Sequence, residues 1–205
     1  VGEMEQLFIL VLAYILGAIP VGYLVGTYWK KIDIRHYGSG NIGTTNAFRI
    51  LGVGPALVVL GGDLFKGVIP TYLALQYGSP VLGVVAGLLT MAGHNWSVFL
   101  GFKGGRGVAT GAGVVLALTP QILFIALMVF IIVAAISRYV SLASILGALI
   151  VPILLIYFRE PLPFILFGLV ASTFVILRHI PNMKRLAAGT EFKLGQKTSK
   201  HEGRK

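Results

Sequence analysis

A chain of 205 residues that is 56% hydrophobic and only 12% charged, with a mean hydropathy of +0.87, cannot cover a soluble fold with polar surface. Its formal net charge of +10 would point to nucleic acid on a soluble protein; here it reads as the inward bias of basic residues in a membrane protein, and no nucleic-acid partner is expected. The absence of cysteine excludes disulfides, thiolate metal sites and a cysteine nucleophile.

Apolar stretches at 6–28, 53–77, 80–101, 107–119, 121–137, 140–158 and 162–178 predict an all-α membrane protein, a bundle of seven transmembrane helices. A single domain is expected over 4–191, followed by a polar basic tail over 192–205 that is mobile at its end. The segment before the first run carries Glu3 and Glu5 and no base, so that run reads as a span and not as a secretory signal. Most runs reach the ~17–25 residues needed to cross the hydrocarbon. The fourth is only about 20 Å long as a helix, so it is expected to be a half-helix with its polar end in a protein-lined cavity. Pro20 and Pro70 predict kinks, Gly22/Gly26 and Gly83/Gly87 predict close helix packing, and Tyr28 and Trp29 stand where an interfacial aromatic belt would lie. Placing the C-terminus inside puts 15 of the 17 Lys and Arg on the inner segments; Lys66 falls within a span and Arg159 outside. The expected orientation is therefore N-terminus outside, C-terminus inside.

Three inner segments carry most of the unusual polar residues, so three glycine-rich basic cytoplasmic loops are expected. The first runs Ser39-Gly40-Asn41-Ile42-Gly43-Thr44-Thr45-Asn46, with Arg49 following. Glycines let backbone approach a ligand, and Arg49 can fork onto two phosphate oxygens. The residues alone leave a polar turn and an anion-binding loop equally open. In the second, Lys103 and Arg106 flank Gly104-Gly105 and the segment opens a helix, whose free N–H groups suit phosphate. An ordinary basic loop meeting lipid head groups would look similar. The third holds Arg178-His179-Ile180-Pro181-Asn182, then Lys184-Arg185 and Gly189-Thr190-Glu191. Ser141 opens the sixth helix, where it suits an N-cap. Asp63 and Lys66 lie three apart within an apolar run, as a pair supporting the site, and His94 and Asn95 interrupt another run where they can brace the loops.

Several chemistries are missing. No His is followed by Asp five positions on, there is no G-x-S-x-G elbow or Walker loop, and no cluster has metal-ligand spacing. Neither a metal nor another cofactor is expected.

Taken together, Ser39–Asn46, Asp63-x-x-Lys66-Gly67, Gly93-His94, Phe102–Thr110, Arg138–Ser144 and Arg178–Leu186 resemble the bacterial acyl-phosphate:glycerol-3-phosphate acyltransferases, from about residue 6 to 191. The resemblance implies a seven-helix enzyme of the bacterial inner membrane with a cytoplasmic active site. It implies transfer of a fatty acyl group from acyl phosphate to the sn-1 hydroxyl of glycerol 3-phosphate, giving lysophosphatidic acid and phosphate. Carried over by motif, Ser39, Arg49, Arg106, His179 and Asn182 bind glycerol 3-phosphate, while Asn46, the Gly104–Gly105 backbone and Ser141 hold the acyl phosphate. His179, Ser39 and Asn182 form the catalytic group, with Asn41, Thr45 and Lys103 among the substrate-binding residues and Asp63, Lys66, His94 and Glu191 supporting the site. Two departures stand out: Arg106 where the family usually has Lys, and Ile180-Pro181 where an Arg-Glu pair is common. The alternative function is a membrane transporter of phosphate or an organic anion, which would need polar residues along the full depth of several helices; only Asp63 and Lys66 approach that. A non-enzymatic assembly protein leaves the glycine-rich loops unexplained.

Overall fold

The computed structural model describes residues 2–196 and is all-helical. In chain order α1 (Glu3–Ala18), α2 (Val21–Lys30), α3 (Thr44–Leu51), α4 (Val53–Tyr77), α5 (Pro80–Asn95), α6 (Val108–Leu118), α7 (Pro120–Ser137), α8 (Val140–Tyr157) and α9 (Leu162–Ala187) follow one another. Single 3₁₀ turns lie at Ile34–His36 and Val98–Leu100. Among the described residues five helices are long and apolar enough to cross a membrane, or six if the bent pair α1 and α2 counts as one span. The expected bundle of seven transmembrane helices is therefore not matched by seven full-length spanning helices, for two reasons. The first span is broken by 41° beside Pro20, which cannot continue the backbone ladder. The fourth is eleven residues long, about 16 Å, and too short to cross alone.

The break between α1 and α2 leaves carbonyls without helical partners, and side chains from the turn after α5 and from α4 supply them. Ser97 donates to the Ala18 carbonyl at 2.5 Å and Lys66 to that of Ile19 at 3.0 Å. Tyr14 adds a hydroxyl bond to the Trp96 carbonyl, tying α1 to the end of α5. A kink inside an apolar medium is tolerated on this condition, because a free carbonyl there has no water to turn to.

Small residues set the closest approaches. Gly17 and Gly93 bring α1 against α5, and Gly67 and Gly113 bring α4 against α6; a Cβ at any of the four would collide with backbone. Gly22 likewise abuts the Ile42 backbone, and Gly87 fits Val114 and Thr71. The largest apolar cluster, including Met91, Val114, Ile122, Leu155 and Phe167, lies among α5, α6, α7, α8 and α9. Exposed Leu, Ile and Phe side chains on α1, α4 and α7 form the outer apolar surface that lipid would cover.

The three expected loops are built differently. The first contains α3, the second is a true loop, and the third is the last turns of α9, which runs on to Ala187 past the apolar limit at 178 and through Pro181. The helix continues because its inner face stays buried, at His179 and Asn182, while bases occupy the other side. The tail boundary at 191 also shifts. Phe192 packs on Arg49, the Leu194 N–H donates to the Arg138 carbonyl and the Arg138 guanidinium donates through Nη2 to the Leu194 carbonyl, so the chain is fastened as far as 194. The mobile end expected beyond that, with Lys197, Lys200, Arg204 and Lys205, lies outside the described residues.

Candidate active site

One end of the bundle is hollow. A cavity of about 420 Å³ opens there, with polar walls from α3, the 101–107 loop, the start of α8 and the end of α9, and an apolar interior between α6, α7, α8 and α9. Residues from all three polar segments meet in it: Ser39, Asn41, Thr45 and Arg49 from the first, Arg106 and Gly107 from the second, and His179, Asn182 and Glu191 from the third. Ser141 joins them from α8.

Asn46 is the clamp of the first segment. Its Oδ1 accepts from the Ser39 N–H at 3.0 Å, and its Nδ2 donates to the carbonyls of Ile34, Tyr37 and Asn41. It is 1% exposed, so these bonds are made without competition from water. The Asn46 side chain borders the cavity, yet its amide is spent on the loop rather than on a ligand.

The second segment is two-faced. Gly104 N–H donates to the Asn95 carbonyl and Gly105 N–H to the His94 carbonyl, while both glycine carbonyls accept from Arg178 at 2.8 and 2.9 Å. Their backbone is therefore consumed in holding the loop, and a Cβ on Gly105 would strike the His94 ring. The expected grip of this backbone on acyl phosphate gives way to a brace. Lys103 and Gly104 face away from the cavity, into a separate recess. Arg106 and the start of α6 face inward, with Gly107 in the left-handed region at φ +78 as the N-cap. The first N–H groups of α6 and its positive dipole end thus border the cavity.

Beneath this brace lies the ion pair. Lys66 Nζ stands 2.8 Å from Asp63 Oδ1, with His94 Nδ1 at 3.5 Å from the same oxygen, all three buried. Asp63, His94, Gly105 and Arg178 therefore form one connected support from α4 to α9.

On α9, His179 and Asn182 are three apart and share the buried face, 2% and 1% exposed. His179 Nδ1 is 2.8 Å from the Val175 carbonyl. A carbonyl can only accept, so Nδ1 carries the proton and Nε2 is left as an acceptor in the neutral ring. Asn182 Nδ2 donates to Glu191 Oε1 at 2.6 Å, which leaves its Oδ1 buried without a partner. Glu191 is held in turn by Arg185, Nε to Oε2 at 2.7 Å. Both α9 side chains therefore present acceptors. The donors are Arg49 and Arg106, with the unpartnered hydroxyls of Ser141 and Thr44 beside them. Burial, the largest cause, holds the Arg49 guanidinium below its ordinary pKa, with Glu191 opposing and Arg185 adding to the effect. Arg49 and Arg106 both stay cationic at neutral pH. Among the described residues no three of His, Asp and Glu stand together as metal ligands would.

Thr44, Arg178 and Phe192 were not singled out by sequence. Thr44 and Arg178 lay inside the polar segments, without a spacing to mark them, and Phe192, stacked 4.8 Å from the Arg49 guanidinium, carried no signal at all.

The glycerol-3-phosphate acyltransferase family model matches residues 7–189. A glycerol-3-phosphate acyltransferase 2 from Moorella thermoacetica is 52% identical over 192 residues, covering 94% of this chain and 99% of its own. A glycerol-3-phosphate acyltransferase from Trichormus variabilis is 45% identical and covers 92% of each chain. Among solved structures, PlsY (YgiH), described as an integral membrane glycerol 3-phosphate acyltransferase, superposes in its glycerol 3-phosphate form with a TM-score of 0.90. It shares 36% identity, over 93% of this chain and 96% of that one.

Proposed function

The chain belongs to the glycerol-3-phosphate acyltransferase family, and from that premise we propose that the hollow end of the bundle is where its acyl transfer takes place. The enzyme moves a fatty acyl group from acyl phosphate to the sn-1 hydroxyl of glycerol 3-phosphate, yielding lysophosphatidic acid and inorganic phosphate. It is a multi-pass protein of a bacterial inner membrane.

The observation that carries the site reading is the sorting of hydrogen-bond character within one cavity. Arg49, Arg106 and the α6 N-terminus offer donors and positive charge to phosphate groups. His179 Nε2 and Asn182 Oδ1 offer acceptors, which match the hydroxyls of glycerol 3-phosphate. Ser39, Asn41 and Thr45 line the same polar mouth, and Ser141 stands at the start of α8 to hold the acyl phosphate. The apolar interior, bordered by Leu123, Gly147, Ala148 and Phe167, suits an acyl chain.

The chemistry needs few protein groups. The sn-1 oxygen attacks the acyl carbonyl carbon, the bond from that carbon to the phosphate oxygen breaks, and the hydroxyl proton ends on the departing phosphate. Phosphate is already a good leaving group beside the attacked carbon, so the substrate itself accepts the proton. His179 orients the hydroxyl, and such positioning is worth several kcal/mol. Incubating the purified protein with acyl phosphate and glycerol 3-phosphate and assaying lysophosphatidate tests the reaction. A single-turnover search without acceptor tests the route: an acyl ester trapped on Ser39 or Ser141 would refute direct transfer.

The cavity faces the cytoplasm, with the N-terminus outside and the C-terminus inside, and α6 with its approach loop makes a seventh crossing. The distribution of bases supports this orientation. A bond from Gln121 Nε2 to Glu160 Oε1 at 3.0 Å supports the crossing, since it puts the start of α7 at the same end as the α8–α9 turn. The 18-residue α7 then runs the full thickness, about 27 Å, while α6 stops roughly 10 Å short of that on the inner side. This difference is the depth at which Arg106 is held inside the bundle.

A further inference from the structure

Behind the 101–107 loop, on the side away from the substrate cavity, lies a second recess of about 440 Å³. Four basic side chains line it, Arg35, His36, Lys103 and Arg178, and no carboxylate does. Two of the four are fixed before any ligand arrives. Arg35 is forked onto Asp33, Nε to Oδ1 at 2.9 Å and Nη2 to Oδ2 at 2.6 Å. Arg178 is forked onto the Gly105 and Gly104 carbonyls and lies 6.0 Å from the Trp96 ring. In both, the bonds use Nε and Nη2 and leave Nη1 for another acceptor. Lys103 and His36 are exposed and form no ion pair among the described residues.

Beside these cations the surface is apolar. Phe102 is 60% exposed and sits in the left-handed region at φ +63, a conformation unfavourable for an aromatic residue. Phe99 and Leu177 are exposed nearby in sequence on the flanking elements. The same end of the bundle carries the exposed Trp29 and Tyr28, placing the recess at head-group level.

We propose that this recess binds the phosphate head group of an anionic membrane lipid, with Phe102 against its acyl region. The shared chemistry, a phosphate accepted by two pre-set guanidiniums and a lysine, would also suit free phosphate. The aromatic rim is what favours the lipid. A head group seated there pulls on Arg178 and Lys103, the two side chains that flank Gly104, and so bears on the loop whose other face carries Arg106. The site differs from the one proposed for catalysis, and its occupation is measured without any acyl transfer.

The experiment is native mass spectrometry of the full chain released from mixed micelles of phosphatidylcholine and phosphatidylglycerol. The expected result is preferential retention of one phosphatidylglycerol. Each cation removed should weaken that retention about fivefold, in Lys103→Gln and further in the Lys103→Gln/Arg35→Gln double variant. Phosphatidylglycerol bearing a photoreactive group near its head provides a second readout on unaltered protein: labelling should fall on Phe99–Lys103 or Arg35–His36. Equal retention of both lipids, retention unchanged in the variants, or labelling confined to other segments would each overturn the proposal. Release of the bound lipid by millimolar inorganic phosphate would instead make the recess a free-phosphate site, which also overturns it.

Discussion

Arg49 and Arg106 are the two guanidiniums that line the cavity, and each comes from a different segment. On the proposed reading each donates a charge-assisted hydrogen bond to substrate phosphate, worth about 1.5–3 kcal/mol, so Arg49→Ala and Arg106→Ala should each lower kcat/KM by roughly 10–150-fold. Steady-state kinetics on folded variants check this, and near-native rates for both would remove them from the site. Asn46 predicts a different signature. Its amide serves four backbone groups of its own loop, and Asn46→Ala strands those that stay buried, at about 1–3 kcal/mol each. The variant should therefore lower the thermal midpoint in detergent as well as activity, whereas Arg49→Ala should leave the midpoint nearly unchanged. Sequence could gather these residues but not divide them by task. Asn46 and Arg49 lie in one polar run, and only the bonds show that one builds the loop while the other borders the cavity. Gly104 and Gly105 show the same limit, since a glycine pair that opens space for a ligand and one that admits a histidine ring read identically.

At the level of elements, the informative feature is where helices stop. α9 passes the end of its apolar run and keeps His179 and Asn182 on one face; the turn of polarity at 178 hid this, because it marks the membrane edge and not the helix end. α6 was legible as a half-length helix from its short apolar run, and its shortness is what leaves room for the loop bearing Arg106. The apolar interior between α6 and α9 could not be read beforehand, since lipid-facing and cavity-facing leucines and alanines look alike. It supplies a test. Ala148 lies about 10 Å beyond Ser141 along α8 and borders the cavity. Ala148→Phe should close the interior at that depth, so kcat/KM for palmitoyl phosphate should fall at least tenfold relative to that for octanoyl phosphate. A uniform loss with both donors would show that the chain lies elsewhere.

For the whole molecule, composition and the placement of bases made the membrane bundle legible, while the number of crossings depends on two features that hydropathy blurs. One is the bend at Pro20 and the other is the length of α6. The native chain has no cysteine, so single introduced thiols report topology without background. In right-side-out vesicles, Gln121→Cys and Glu160→Cys should react with an impermeant maleimide from outside, and Lys184→Cys only after the membrane is opened. Accessibility of Gln121→Cys and Lys184→Cys from the same side would reverse the proposed path of α6.

His179 and Asn182 have one more consequence, which concerns handedness. Two acceptors on α9 and a separate cluster of guanidiniums fix three points in space, and three points distinguish a chiral molecule from its mirror image. Glycerol 3-phosphate has one stereocentre, bearing the hydroxyl that lies between the reacting carbon and the phosphate-bearing carbon. In the mirror image, with phosphate and reacting hydroxyl seated, that middle hydroxyl points away from its acceptor and leaves a buried lone pair unpaired. At about 1–3 kcal/mol the site should prefer one enantiomer by roughly 5–150-fold. The Asn182 amide, turned by Glu191 so that its oxygen faces inward, would then be a means by which the chain sets the chirality of the lipids built on its product.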